Sequence, residues 1–322
     1  MKSLHPAKLA AALLTLATFT AVHSAEITSA AAPASPAVVP APKPTLVENV
    51  VYGHAGGVDL KLDMTKPVPR KAPTPVMVCF HGGGWQAGSK RDGRGWCGFF
   101  ANQGWLGVTV GYRFVPEFPW PAQVEDAKAS IRYLRAHATE LNIDPNRIMV
   151  MGESAGAYLA LMLGVTSPED GLEGDGGNAG FSSRVQAVVS FASATDFTNQ
   201  KEIRAVSPEI EAMMQAYYHK TAAEVFAAMR PSKDLNDPIY QRMSVLPYVT
   251  HDDPPVLMFH GDADPILPLE HAHKLDRALT AAQVRHELVI VEKGGHNLSP
   301  PQYAMARQKI MEFLGSSWEA QP

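Results

Sequence analysis

The segment Gly152-Glu153-Ser154-Ala155-Gly156 has the residue types of an activated serine nucleophile. A serine on a tight strand-to-helix turn carries its hydroxyl clear of the backbone, and glycines two positions to either side remove Cβ atoms that would clash there. The flanking sequence supplies that setting: Ile148–Met151 reads as a short buried strand, and the stretch to Val165 as a helix. Upstream, His81-Gly82-Gly83-Gly84-Trp85 closes another apolar run. Successive glycines let backbone N–H groups approach a ligand oxygen unobstructed, which is what the tetrahedral oxyanion of acyl transfer requires. Gly83, Gly84 and Ala155 are the expected donors, Ala155 from the start of its helix. The loop lacks the Lys-Ser/Thr ending of a P-loop and the GxGxxG spacing of a dinucleotide loop.

A serine nucleophile needs a base, and the base needs an acid that holds its tautomer. Of the twelve histidines, His296 stands on a loop after a late apolar strand, His286–Val291. His260, His271 and His273 lie beside the preceding strand, and His81 belongs to the glycine loop. For the acid, Asp264 leads, Asp262 in the same His260-Gly261-Asp262-Ala263-Asp264-Pro265 segment follows, and Asp196 is a third candidate. Such chemistry requires no metal and no organic cofactor.

The elements that must position these residues are written in hydrophobic periodicity. Leu46–Tyr52 and Val58–Met64 read as a hairpin, and Pro75–Phe80, Leu106–Tyr112, Ile148–Met151, Val185–Phe191, Val256–Phe259 and His286–Val291 as further strands. Trp120, Val124, Ala127, Ile131, Leu134, Ala138 and Leu141 mark one face of a helix about 20 residues long. Ser154–Val165 is apolar on nearly every side, as befits a helix inside a layered domain. Helices are expected at Glu270–Ala281 and Tyr303–Leu314. Short apolar strands alternating with helices predict an α/β fold with a mainly parallel sheet covered on both faces. Between about 198 and 249 the alternation breaks into Met- and Tyr-rich helical segments. That stretch reads as an insertion, either a lid over the site or a small helical subdomain.

Length and composition bound the rest. The chain has 322 residues, 46% of them hydrophobic and 19% charged, enough for one large core. A net charge of −4 without long runs of one sign excludes a nucleic-acid stripe or a polybasic membrane patch. Two cysteines, Cys79 and Cys97, cannot build a disulfide framework, and Cys79 sits in an apolar run. Residues 1–25 have the form of a signal peptide, with Lys2 and Lys8 ahead of apolar Leu9–Val22. That stretch is shorter than the roughly 20 residues that span a bilayer. An Ala/Pro-rich linker over 26–45 and a catalytic domain over 46–322 complete the expected organisation, in an exported, periplasmic or secreted protein without a membrane span in its mature form.

The order Ser154, Asp264, His296 is that of α/β-hydrolases. With Tyr112–Pro116, Pro121–Tyr133 and Ile143–Ile148, these motifs resemble the esterase/lipase group that includes the bacterial feruloyl/acetyl-xylan esterase-like (BD-FAE) and hormone-sensitive lipase families. The resemblance implies an α/β-hydrolase fold with a helical insertion, Asp264 rather than Asp262 as the acid, and oxyanion donors in the glycine loop. Glu153 departs from the aspartate usual in the hormone-sensitive lipase family. The function implied is a serine carboxylesterase acting through an acyl-enzyme on small or carbohydrate-linked esters, with acetyl, feruloyl or short-chain acyl groups. A peptidase or amidase of the same fold, and a catalytically silent binding protein, are the competing classes. Among Trp85, Trp96, Phe114, Phe118 and Trp120, on loops near the expected carboxyl edge of the sheet, Trp85 and Phe114 are the candidates for substrate contact.

Overall fold

The unbroken apolar runs become strands because both of their faces are covered. The computed structural model describes residues 42–198 and 207–318. Eight strands form one sheet: β1 (Thr45–Ala55), β2 (Val58–Lys66), β3 (Thr74–Phe80), β4 (Leu106–Val110), β5 (Ile143–Glu153), β6 (Ala187–Phe191), β7 (Val256–Gly261) and β8 (His286–Val291). Their order is β1-β2-β4-β3-β5-β6-β7-β8. β1 and β2 make an antiparallel hairpin around Gly56-Gly57, β2 is antiparallel to β4, and all other neighbours run parallel.

The helices are α1 (Arg94–Asn102), α2 (Ala122–Ala136), α3 (Ala138–Leu141), α4 (Ala155–Val165), α5 (Pro208–Tyr218), α6 (Ala222–Met229), α7 (Ile239–Met243), α8 (Glu270–Ala281) and α9 (Pro300–Trp318). Alternate strand residues serve opposite cores. Val76, Val78 and Phe80 of β3 join α2, α4 and α8 on one side, while Met77 and Cys79 join α1 and α9 on the other. β5 repeats this with Ile148 and Val150 against Met149 and Met151. Each such side chain contributes roughly 1.5–3 kcal/mol by burial. α4 is buried at all eleven positions, as its lack of a polar face predicts.

Two sequence expectations change. The long helix ending at Leu141 is divided into α2 and α3 at His137, whose φ of −104° and ψ of 18° leave the helical region. There the Tyr133 carbonyl accepts both the His137 backbone N–H, at 3.1 Å, and its ring Nδ1–H, at 2.9 Å. β4 ends at Val110 rather than Tyr112, because the Arg113 N–H turns away to Asp126 Oδ2 at 2.8 Å. Cys79 and Cys97 are both buried and free, and burial pushes both thiols above their usual pKa. The leader and most of the linker lie outside the described residues. Among those described, no helix is long and apolar enough to cross a membrane.

Register brings the functional loops to one edge. Phe80 pairs with Gly152, Glu153 with Phe191, and Gly261 with Val291. The carboxyl ends of β3, β5, β6, β7 and β8 are thus level, and their loops open on the same side, where parallel sheets bind ligands. The turn after β4 is pinned by Asp126, whose side chain is 1% exposed, accepts from Arg113 N–H and Nε–H (2.9 Å) and forms an ion pair with Arg113 Nη2 at 2.7 Å. Removing one partner of a buried pair strands the other charge. Asp126→Ala is expected to lose about 3 kcal/mol, read as a lower midpoint in urea unfolding.

Candidate active site

Ser154 stands between β5 and α4 with φ 53° and ψ −118°, a left-handed conformation that a residue with a Cβ adopts only under constraint. The constraint is close packing. A Cβ on Gly156 would collide with the Phe80 carbonyl of β3, and one on Gly152 would collide with the Gly156 backbone. The turn is tied to the next strand by the Ser154 N–H, which donates to Phe191 O at 2.8 Å. Ala155 is the first residue of α4, so its N–H has no partner within the helix.

The glycine loop lies against this turn: a Cβ on Gly82 would stand 3.1 Å from Glu153 O. Gly83 and Gly84 take φ values of 107° and 56°, and the Gly83 carbonyl accepts from Gln86 and Ala87 N–H at 3.0 Å each. His81 anchors the loop from behind. Its Nδ1–H donates to Gly82 O at 2.7 Å, and the Tyr112 hydroxyl donates to His81 O at 2.8 Å while the rings stack at 4.4 Å. Trp85 also has a positive φ, 56°. Its indole Nε1–H donates to Ala155 O at 3.1 Å, and its ring packs edge-on against Tyr158. Trp85 therefore fastens the loop to the start of α4 as well as lining the cavity.

His296 Nδ1–H donates to Asp264 Oδ2 at 2.8 Å. The Asp264 side chain is fully buried, and its Oδ1 accepts from Ile266 N–H (2.8 Å) and Leu267 N–H (3.0 Å). Burial opposes ionisation of Asp264, but the His296 hydrogen bond and these amides outweigh it and hold the carboxyl below its usual range. His260 braces the same loop, its Nε2–H donating to Leu267 O at 2.8 Å, and burial keeps it neutral by lowering its pKa. Asp262 is exposed and makes no contact with His296, while Asp196 pairs with Lys274 at 2.8 Å. Of the three aspartates, Asp264 is the one hydrogen-bonded to His296.

Ser154, Ala155, His296, Gly83 and Gly84 line one cavity of about 380 Å³. Its remaining walls are mostly apolar, with Trp85 and Tyr158 from the domain, Ile266 and Leu267 from the Asp264 loop, and Met213, Met214, Tyr218 and Met229 from the insertion, while Asp92, Glu153 and Asn297 add polar groups. The described part of the insertion therefore covers the site, and it also has a small core of its own around Ile210, Met214, Ala222 and Val225. Phe114 is not among the residues lining this cavity. It packs edge-on against His81 and Tyr112 and lines a separate groove behind the glycine loop. Trp96 and Trp120 are buried packing residues, and Phe118 lies against Arg113 in that same groove.

Three contributors escape sequence reasoning. Tyr303 of α9 donates its hydroxyl to Glu153 Oε1 at 2.9 Å, across 150 residues, with no local signal. Tyr112 braces the glycine loop from β4's exit. The wall residues Ile266 and Leu267 had a signal, an apolar pair directly after a polar turn. A parallel sheet with a strained serine after β5, an acid after β7 and its hydrogen-bonded histidine after β8 defines an α/β-hydrolase fold.

Within that class the chain belongs to the BD-FAE family, whose sequence profile matches residues 62–279. Among curated relatives it is similar to esterase LipC of Mycobacterium tuberculosis, 28% identical over 72% of this chain and 55% of the relative. It is likewise similar to esterase LipQ of that organism, 28% identical over 83% of this chain and 61% of the relative. The chain thus spans little more than half the length of these relatives. Among solved structures it is similar to a truncated carbohydrate esterase from gut microbiota, with TM-score 0.69 and 26% identity over 85% of this chain and 96% of that one. Thermogutta terrifontis esterase 2 with propionate bound gives TM-score 0.68 and 27% identity over the same shares.

Two outcomes follow from the packing and the charge. Gly156→Ala must push α4 away from β3, a cost of about 1–3 kcal/mol for overpacking, expected as a lower melting temperature together with loss of whatever turnover the wild type shows. The lowered Asp264 carboxyl contributes stability that is present above the unfolded value of about 3.9 and is lost as pH falls through the folded value. Melting temperature measured against pH should therefore fall less steeply on the acid side in Asp264→Asn than in the wild type.

Proposed function

We propose that this chain is a serine carboxylesterase with Ser154 as nucleophile, His296 as general base and Asp264 as its orienting acid. The observation that carries the reading is that the Asp264–His296 hydrogen bond, the strained serine and the glycine loop all meet at one cavity. Ser154 Oγ bonds to the ester carbonyl carbon as its proton passes to His296 Nε2, and the carbonyl electron pair moves onto oxygen. Backbone N–H groups of Gly83, Gly84 and Ala155 stabilise that oxyanion, each donor being worth roughly 3 kcal/mol. Collapse breaks the bond to the alcohol, which leaves with the proton from His296. Water then repeats the sequence on the acyl-enzyme, releasing the carboxylic acid and returning the proton to Ser154.

The apolar walls favour a compact acyl group without charge, and about 380 Å³ is at the small end of ligand pockets. Propionate and butyrate complexes of the Thermogutta terrifontis esterase support short acyl chains, and the gut carbohydrate esterase supports a sugar-linked alcohol. Export belongs to the same reading and is supported by Lys2, Lys8 and the apolar stretch Leu9–Val22.

Hydrolysis of p-nitrophenyl esters from acetate to palmitate tests this. Turnover should peak at short chains and disappear in Ser154→Ala. Asp264→Asn should lower kcat by roughly 10⁴-fold, whereas Asp262→Asn and Asp196→Asn should stay near wild type. Absence of turnover on every ester would overturn the reading.

A further inference from the structure

The polar tips of the aromatic residues around the site are engaged within the protein except at Tyr217, which is 53% exposed to solvent, and at Tyr218. Trp85 donates to Ala155 O, Tyr112 to His81 O, Tyr303 to Glu153, and the Tyr158 hydroxyl accepts from Trp120 Nε1 at 2.9 Å. Tyr218, the last residue of α5, lines the cavity, yet its hydroxyl has no hydrogen-bond partner among the described residues. That oxygen lies over the glycine loop, 3.1 Å from where a Cβ of Gly84 would stand. A half-buried phenol in an apolar cavity, directed at a backbone expected to bind an oxyanion, is a donor awaiting a ligand oxygen.

The insertion holds it there. Tyr218 packs on the core formed by Ile210, Met214, Ala222 and Val225. α6 is joined to the glycine loop itself, since Gln86 Nε2–H donates to Val225 O at 2.7 Å and Lys220 Nζ reaches Gln86 Oε1 at 3.3 Å. Burial, with Tyr217 alongside, pushes the Tyr218 phenol up to about 12, so it keeps its proton at neutral pH.

We infer that Tyr218 is a further catalytic residue, its hydroxyl donating to the ester carbonyl oxygen as that atom becomes the oxyanion. The inference rests on the esterase reading above. It makes the insertion part of the catalytic machinery: the glycine loop and α4 offer backbone donors from below, and α5 offers a side-chain donor from above. A group that strengthens its contact only as charge develops acts on kcat rather than on ground-state binding.

Tyr218→Phe removes one oxygen and keeps the ring, so an unchanged melting temperature will certify the fold. With p-nitrophenyl butyrate, kcat should fall roughly 100- to 1000-fold while KM stays within about threefold. Affinity for a trifluoromethyl ketone, which forms a tetrahedral adduct with the serine, should fall by the same factor as kcat/KM. Wild-type kcat in the variant, or a rise in KM alone, would overturn the role. Failure of the esterase reading would look different: the wild type itself would neither turn over esters nor be labelled by paraoxon.

Discussion

The contact between the start of α4 and the end of β3 governs the geometry of the whole site. Gly156 lies so close to the Phe80 carbonyl that no Cβ fits, and Gly152 is pressed as tightly against Gly156. A chain that must leave β5 and enter α4 through this gap has to turn within one residue, and that residue is Ser154 at φ 53°. Such a conformation costs of order 1–3 kcal/mol. It persists because α4 is buried along its full length and cannot move without opening the core on its side of the sheet. The strain at the serine is the local consequence of packing that extends through the domain.

The same close approach brings the glycine loop into reach. Gly82 touches the backbone of Glu153, and Trp85 and His81 then hold the loop from either end by hydrogen bonds to backbone carbonyls. Because the Gly82 carbonyl and the Gly83 N–H belong to one planar peptide, drawing the carbonyl toward His81 turns the N–H the opposite way. The anchor behind the loop thereby helps set the direction of the Gly83 N–H in front of it.

Burial also sets Asp264 apart from its neighbours. A carboxylate removed from water is tolerated only when its oxygens are satisfied. Asp264 meets that condition through His296 and two backbone amides, and the loop that provides those amides carries Ile266 and Leu267 into the cavity wall. The carboxylate bonded to His296 and part of the cavity wall are thus carried by one short turn.

Much of this molecule was legible in the chain because its determinants are local. The GxSxG turn, the glycine run, the alternation of short apolar strands with helices and the placement of His296 depend on residues near one another, where period and turn chemistry act directly. Glu270–Ala281 and His286–Val291 fall at the expected positions for that reason. Tertiary structure decided the rest. Asp264 and Asp262 differ in burial and partners, which residue type does not reveal, so the residues alone left them open until a family pattern was invoked. Phe114 and Trp85 both lie on loops at the carboxyl edge, but only the folded chain shows that the glycine loop separates them. Tyr303 meets Glu153, and Gln86 meets Val225, across distances along the chain at which no periodicity operates. Local sequence determined the serine turn, the glycine loop and the histidine loop, and long-range packing determined which side chains face one another, because contact between distant segments exists only after the sheet has brought them together.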